Sequence, residues 1–277
     1  MTLFKRKYTY EGHTMFRNPA LEKSLMSHGS NRDRVALSDK LHIDWNRTPH
    51  VLIAGSTGYG KSVLLHSIIL GICYGNSPKD ARFIFIDPKM VEFNRYRTLP
   101  HRTLEPATDI YSAFKALEYA EGVMKDRYRK LKATGMNQWQ GEILYVVIDE
   151  VAQLIFHDKS RAIRLLSSLT SLGRAAGVRV IAATQMPTKA VLSNQVLVNF
   201  DARICLHLDD SVAYRTVLGT VPPVIPSEKG EAIYKAGSDL YHLYAPYTSE
   251  EDYEFFLENI KINGKPYNPK KSRVRFC

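Results

Sequence analysis

Short apolar runs alternate along this chain with longer segments in which apolar residues recur every third or fourth position. The runs Val51-Leu52-Ile53-Ala54, Ala81 to Ile86, Ile143 to Ile148, Val178 to Ala183 and Ala202 to Leu208 read as strands. Ile143 to Ile148 is nearly unbroken, the pattern of a strand buried on both faces. Val63 to Tyr74 is apolar over a helix length, and Thr108 to Lys132 places Ile110, Phe114, Leu117, Met124, Tyr128 and Leu131 on one face. The opposite face carries Lys115, Glu118, Glu121, Lys125, Asp126, Arg129 and Lys130, and Gly135 follows as a stop. Ser160 to Ala176 predicts another helix, with Ile163, Leu166, Leu169 and Leu172 inward. Such alternation predicts an α/β fold with a mostly parallel β-sheet flanked by helices on both faces. Residues 231–234 and 240–244 read as a terminal strand pair, and Ser249-Glu250-Glu251 as the cap of a last short helix. Before Leu41 the pattern weakens, which divides the chain into an arm or small accessory layer (1–40), a main domain (41–260) and a basic tail (261–277).

Composition narrows the class. A chain of 277 residues with 44% apolar content is long enough for a substantial core. No stretch reaches the ~18 uninterrupted apolar residues of a membrane span. The basic start, Lys5-Arg6-Lys7, runs into polar residues rather than a signal-peptide core, so a cytoplasmic location is expected. Cys73, Cys205 and Cys277 are too few and scattered for a disulfide framework, and the nine histidines show no zinc spacing. With 38 Lys and Arg against 28 Asp and Glu, the net charge of +10 favours a polyanionic partner. Part of the excess lies in Lys261, Lys265, Lys270, Lys271, Arg273 and Arg275, which read equally as a solvated tail.

The most specific chemistry is in Gly55-Ser56-Thr57-Gly58-Tyr59-Gly60-Lys61-Ser62, a complete P-loop pattern between the first of these strands and the apolar run opened by Val63. A glycine-rich turn that opens a helix aims backbone N–H groups and the positive helix end at one spot, which suits a chain of phosphates. Lys61 reaches the β- and γ-phosphates of ATP in such a loop, and the Ser62 hydroxyl binds Mg²⁺. An ordinary glycine-rich turn is the plain alternative. Asp149-Glu150 closes the third strand as a Walker B element: Asp149 would hold Mg²⁺ and Glu150 would prepare the attacking water, unless the pair merely caps the next helix. Gln185 ends the fourth strand, where an amide senses a γ-phosphate or else satisfies a turn. Arg174 lies at the end of the preceding helix, as a dipole-complementing surface residue or as an arginine finger for a neighbouring subunit.

Several blocks together resemble the motor domain of the FtsK/SpoIIIE family of DNA translocases. They are His50 to Val63, Phe85-Ile86-Asp87-Pro88-Lys89-Met90-Val91-Glu92-Phe93, Met124 to Leu131 with Arg127-Tyr128, Val147 to Leu154, Arg174-Ala175-Ala176-Gly177-Val178 and Ala183-Thr184-Gln185. The resemblance implies a RecA-like P-loop core, a homo-oligomeric and commonly hexameric ring, and double-stranded DNA moved by ATP hydrolysis. It implies a trans-acting role for Arg174 and makes Arg203 a weaker interface candidate. Asp87 and Lys89 either link the nucleotide pocket to DNA-facing loops or shape a turn. Two departures stand out: Met186 replaces an arginine common in the family, and Val221 to Pro226 replaces a Gly- and Leu-rich stretch. Related motors drive protein secretion, and others deliver single-stranded DNA in conjugation, so both functions remain alternatives.

Overall fold

The computed structural model describes residues 33–38, 41–245 and 247–259, together with two short strands, Lys261–Ile262 and Lys265–Pro266. The expected arm before residue 33 and most of the basic tail, with Lys270, Lys271, Arg273 and Arg275, lie outside the described residues. Seven strands form the main sheet in the order β4 (Ala81–Ile86), β5 (Ile143–Ile148), β6 (Val178–Thr184), β3 (Val51–Ala54), β7 (Ala202–Cys205), β8 (Glu231–Ala236) and β9 (Asp239–Tyr244). The pairs from β4 to β7 are parallel, and β8 and β9 close the sheet as an antiparallel hairpin. β3 lies between β6 and β7, so the chain crosses over repeatedly and helices must cover both faces.

Alternate strand residues supply two cores, as the two-residue repeat of a strand requires. Val51, Ile53, Phe83, Phe85, Tyr145, Val147 and Ile181 face α1 (Lys61–Gly75), which is apolar nearly all round and correspondingly buried. Leu52, Ile84, Ile86, Leu144, Val146, Ile148 and Val180 face the other layer, led by α2 (Ile110–Thr134), α3 (Val151–His157) and α4 (Lys159–Leu172). This layer also holds α5 (Asn194–Leu197) and α6 (Ser211–Leu218). Gly135 ends α2 at φ 68°, as the sequence led one to expect, and Asp109 caps its start by accepting the Ser112 N–H. Ser249 and Asp252 form a capping box at the start of α7 (Glu250–Asn259). Cys73 and Cys205 are buried core thiols.

Three elements differ from expectation. β1 (Arg34–Ala36) and β2 (His42–Asp44) pair antiparallel, and Val35, Leu37, Ile43 and Trp45 bury against α1. The boundary expected near residue 40 thus falls between two paired strands. α4 stops at Leu172 rather than Ala176, because the chain turns back at once into β6: the Gly173 carbonyl accepts the Val178 N–H at 2.8 Å, and Gly177 turns at φ 65°. β7 ends at Cys205 rather than Leu208, because the chain bends so that the His207 carbonyl accepts the Ser56 N–H at 2.9 Å.

Two buried histidines tie this frame to pH. His50 accepts the Val180 N–H at 3.1 Å, and His101 meets the Asn76 carbonyl at 2.9 Å. Burial, helped by the nearby Arg179 charge, lowers the His50 pKa from 6.5 to about 3. Burial likewise lowers His101 from 6.5 to about 4, against its carbonyl contact. The unfolded chain therefore takes up protons at these sites as pH falls through 6.5, while the folded chain does not until about 4 and 3. Stability is expected to fall progressively over that window, by up to ~1.4 kcal/mol per pH unit for each group. Urea midpoints measured between pH 7.5 and 4.5 check this, and His101→Asn should make the slope shallower.

Candidate nucleotide site

The parallel strands end close together: Ala54 of β3 is in register with Thr184 of β6 and Cys205 of β7, while Ile86 of β4 and Ile148 of β5 end opposite Ala182, two residues earlier. Every predicted residue of the P-loop, the Walker B pair and Gln185 leaves the sheet at this one edge. Gly58 and Gly60 adopt φ of 89° and 97°, a backbone that only glycine takes without strain, and α1 begins at Lys61. Gly55 needs its missing side chain for another reason, since a Cβ there would lie 3.0 Å from that of Leu206. Val63 follows in the first turn of α1.

Polar side chains of the loop are each held from a different strand end. The Lys61 ammonium donates to the Asp149 carboxylate at 2.7 Å and to its carbonyl at 3.0 Å, with both side chains 4% exposed. Burial pushes the Asp149 carboxyl up, and the Lys61 charge draws it back. Thr57 donates to the Gln185 Oε1 at 3.0 Å, and Ser56 to Asp209 at 3.0 Å. The Tyr59 ring stacks on His207 with centroids 4.0 Å apart, and the Tyr59 carbonyl accepts the Gly230 N–H. Ser62 donates to Glu92 at 2.8 Å, a residue to which sequence reasoning gave no role of its own. Its hydrogen bond to His66 does most to hold the Glu92 carboxyl at about 2, against partial burial.

Glu150 is both a helix cap and an oriented carboxylate. Its Oε1 accepts the Ala152 N–H at 3.2 Å, which caps α3, and the Thr184 hydroxyl at 2.7 Å. Its Oε2 accepts the Gln185 N–H at 2.9 Å. A carboxylate has about four acceptor positions, so three donors leave one direction at Oε2 for a further proton donor such as water. Thr184 and Gln185 were legible as a strand end, but not as the clamp on Glu150.

Arg174 lies far from this edge. It is exposed in the turn before β6, at the opposite end of a seven-residue strand, roughly 20 Å from the P-loop side. There it lines a polar cavity of about 350 Å³ with Arg179, Trp139 and Gln138. Arg127 fixes the turn by donating to the carbonyls of Ala176 and Gly177 at 3.0 and 2.9 Å, and Tyr128 by donating to that of Leu172 at 2.8 Å. Arg203 is engaged internally, with donors on the carbonyls of Phe200, Val217 and Leu197 at 2.8, 2.8 and 3.0 Å. It joins α5, α6 and β7. Lys89 is exposed, whereas Asp87 is 1% exposed and folds the turn, its Oδ2 accepting the N–H groups of Glu92 and Phe93 at 2.8 and 3.0 Å.

The model of the FtsK/SpoIIIE family matches residues 29–218, well over half of the chain, including the P-loop, the Asp149-Glu150 pair, Arg174 and Gln185. The chain belongs to the FtsK/SpoIIIE family. The DNA translocase FtsK of Leptospira interrogans serogroup Icterohaemorrhagiae serovar copenhageni is 33% identical over 243 residues, covering 81% of this chain and 26% of that protein. The DNA translocase FtsK of Mesorhizobium japonicum is 30% identical over 267 residues, covering 81% and 30%. This FtsK/SpoIIIE chain thus spans between a quarter and a third of the length of those relatives. Among solved structures, the pCW3 conjugation coupling protein TcpA, in a monomer form with ATPγS, superposes with a TM-score of 0.69 at 25% identity over 87% of this chain and 70% of that one. The cytoplasmic domain of the Thermomonospora curvata type VII secretion ATPase EccC gives a TM-score of 0.71 at 21% identity, covering 95% and 34%. That second likeness is one of fold. Among the described residues, no helix is long and apolar enough to cross a membrane.

The clamp on Glu150 generates a prediction specific to this family member. In Glu150→Gln the new amide faces either the Gln185 or the Ala152 N–H, leaving one buried donor unpaired at a cost of about 1–3 kcal/mol. Thermal melting without nucleotide should show that loss. An unchanged midpoint would remove the clamp.

Proposed function

We propose that this chain is an ATP-hydrolysing motor that works as a homo-oligomeric, commonly hexameric, ring and drives double-stranded DNA. The observation that carries the reading is the convergence of Lys61, Ser62, Asp149, Glu150 and Gln185 on one sheet edge in a member of the FtsK/SpoIIIE family. The formal charge of +10 supports a polyanionic partner. In this mechanism the backbone N–H groups from Gly55 to Ser62 and the Lys61 ammonium bind the phosphates of ATP. Gln185, held beside Thr57, contacts the γ-phosphate. Glu150 accepts a proton from water at its remaining Oε2 direction as the water oxygen bonds to the γ-phosphorus and the bond to the β–γ bridging oxygen breaks.

The donor set fits Mg²⁺. Ser62 and Asp149 would hold it, and the Asp87 Oδ1 close by is buried without a hydrogen-bond partner among the described residues. When bound, the ion supplies neutralisation of charge on the β- and γ-phosphate oxygens. Arg174, on the far side of its own subunit, would serve a neighbour's pocket. The likeness to TcpA, a conjugation coupling protein, supports a second reading as a conjugative coupling ATPase, for which we take single-stranded DNA as the substrate.

Hydrolysis should rise on adding duplex DNA at low salt, where phosphate contacts are strongest. Stimulation by single strands alone would favour the second reading, and none by either would sink both. Lys61→Ala and Arg174→Ala should each be inactive, yet their mixture should regain hydrolysis, because some interfaces then pair an intact Lys61 with an intact Arg174. No recovery on mixing removes the trans role.

A further inference from the structure

The block Asp87-Pro88-Lys89-Met90-Val91-Glu92-Phe93 leaves β4 as an exposed loop and then returns to the first turns of α1. Its path is set by two features. Met90 adopts φ 60°, a left-handed conformation that costs a side-chain-bearing residue energy, with Met90 and Val91 exposed at the tip. Asp87 then draws the chain back, because its buried carboxylate gathers the N–H groups of Glu92 and Phe93. Phe93 enters the core beside Phe85, with ring centroids 5.2 Å apart, and so anchors the returning strand of the loop. The Glu92 carboxylate is thereby carried onto the P-loop helix, where Oε1 accepts the Ser62 hydroxyl at 2.8 Å and Oε2 meets His66 Nε2 at 3.2 Å. His66 is fixed in turn by the hydroxyl of the buried Tyr96, at 2.7 Å from its Nδ1.

A serine hydroxyl has one proton and two lone pairs. Where the proton goes to a carboxylate, both lone pairs are left for another partner, and the oxygen becomes a better donor to a cation. Outer partners of this kind commonly set the orientation and basicity of metal ligands. Resting on the reading of Ser62 as the Mg²⁺ ligand, we infer that Glu92 is a positioning residue that fixes the Ser62 hydroxyl for the nucleotide-bound cation. Asp87 and His66 hold Glu92 in place for that task. The second carboxylate also lies near enough to Lys61 and Asp149 for their charges to interact, so the cation would meet a site more negative than the Walker pair alone supplies.

The test is the Mg²⁺ dependence of nucleotide binding by the whole chain, followed with a fluorescent ADP analogue as MgCl₂ is titrated into chelator-treated buffer. Glu92→Gln keeps the shape of the side chain and removes its charge, and the Mg²⁺ midpoint should rise by about tenfold. Ser62→Ala is the control for the underlying reading and should raise the midpoint as well. If Ser62→Ala shifts the midpoint and Glu92→Gln stays within about twofold of the parent, this inference alone is overturned. If Ser62→Ala leaves the midpoint unmoved, the reading of Ser62 as metal ligand fails and this inference with it.

Discussion

Lys61 and Asp149 form an ion pair with both members almost wholly out of water, and the geometry of the site is organised around it. Removing two charges from water costs several kcal/mol for each, and mutual attraction repays that only with close contact and additional hydrogen bonds. Both conditions are met, because the ammonium also reaches the Asp149 carbonyl. The pair spans strands that are not neighbours, since β6 runs between β3 and β5. The register allows it, because β5 stops opposite Ala182, two residues short of the ends of β6 and β3, and Asp149 follows at once. The same register brings Glu150 against Thr184 and Gln185, and Gln185 against Thr57.

What the sequence made legible follows from how locally each feature is encoded. Strands β3 to β7 are apolar on both sides because both sheet faces are covered, so their runs stand out without any knowledge of pairing. The P-loop is legible because Gly58, Gly60 and Lys61 serve the backbone and the ligand within one turn. The pattern runs four residues past the end of α4 because Ala175 and Ala176 favour helix, while the stop depends on the turn into β6 closed by Gly173, Gly177 and Val178. β1 and β2 escaped because three-residue strands carry too little pattern, and their burial depends on α1.

The side-chain contacts of the site were legible as residue types and not as partners. Glu150 was read either as a cap or as a catalytic carboxylate, and it has the geometry of both, because each of its oxygens serves a different element. Glu92 stood within a recognised block but had no assigned role, since the loop that delivers it to Ser62 is folded by Asp87 and anchored by Phe93. Arg203 looked available for a neighbour on sequence alone. Its guanidinium is instead spread over three carbonyls that no local pattern places together.

The central position of β3 has a consequence for how the molecule comes into being. This strand ends at residue 54, yet the strands on either side of it end at residues 184 and 205. A chain made from its amino end therefore holds the phosphate-binding turn without lateral support until almost the whole parallel sheet has been synthesised. Pairings of such sequence separation are slow to form and leave apolar strand edges exposed meanwhile. On the ribosome, the segment most recognisable in the sequence is thus among the last to acquire its final shape.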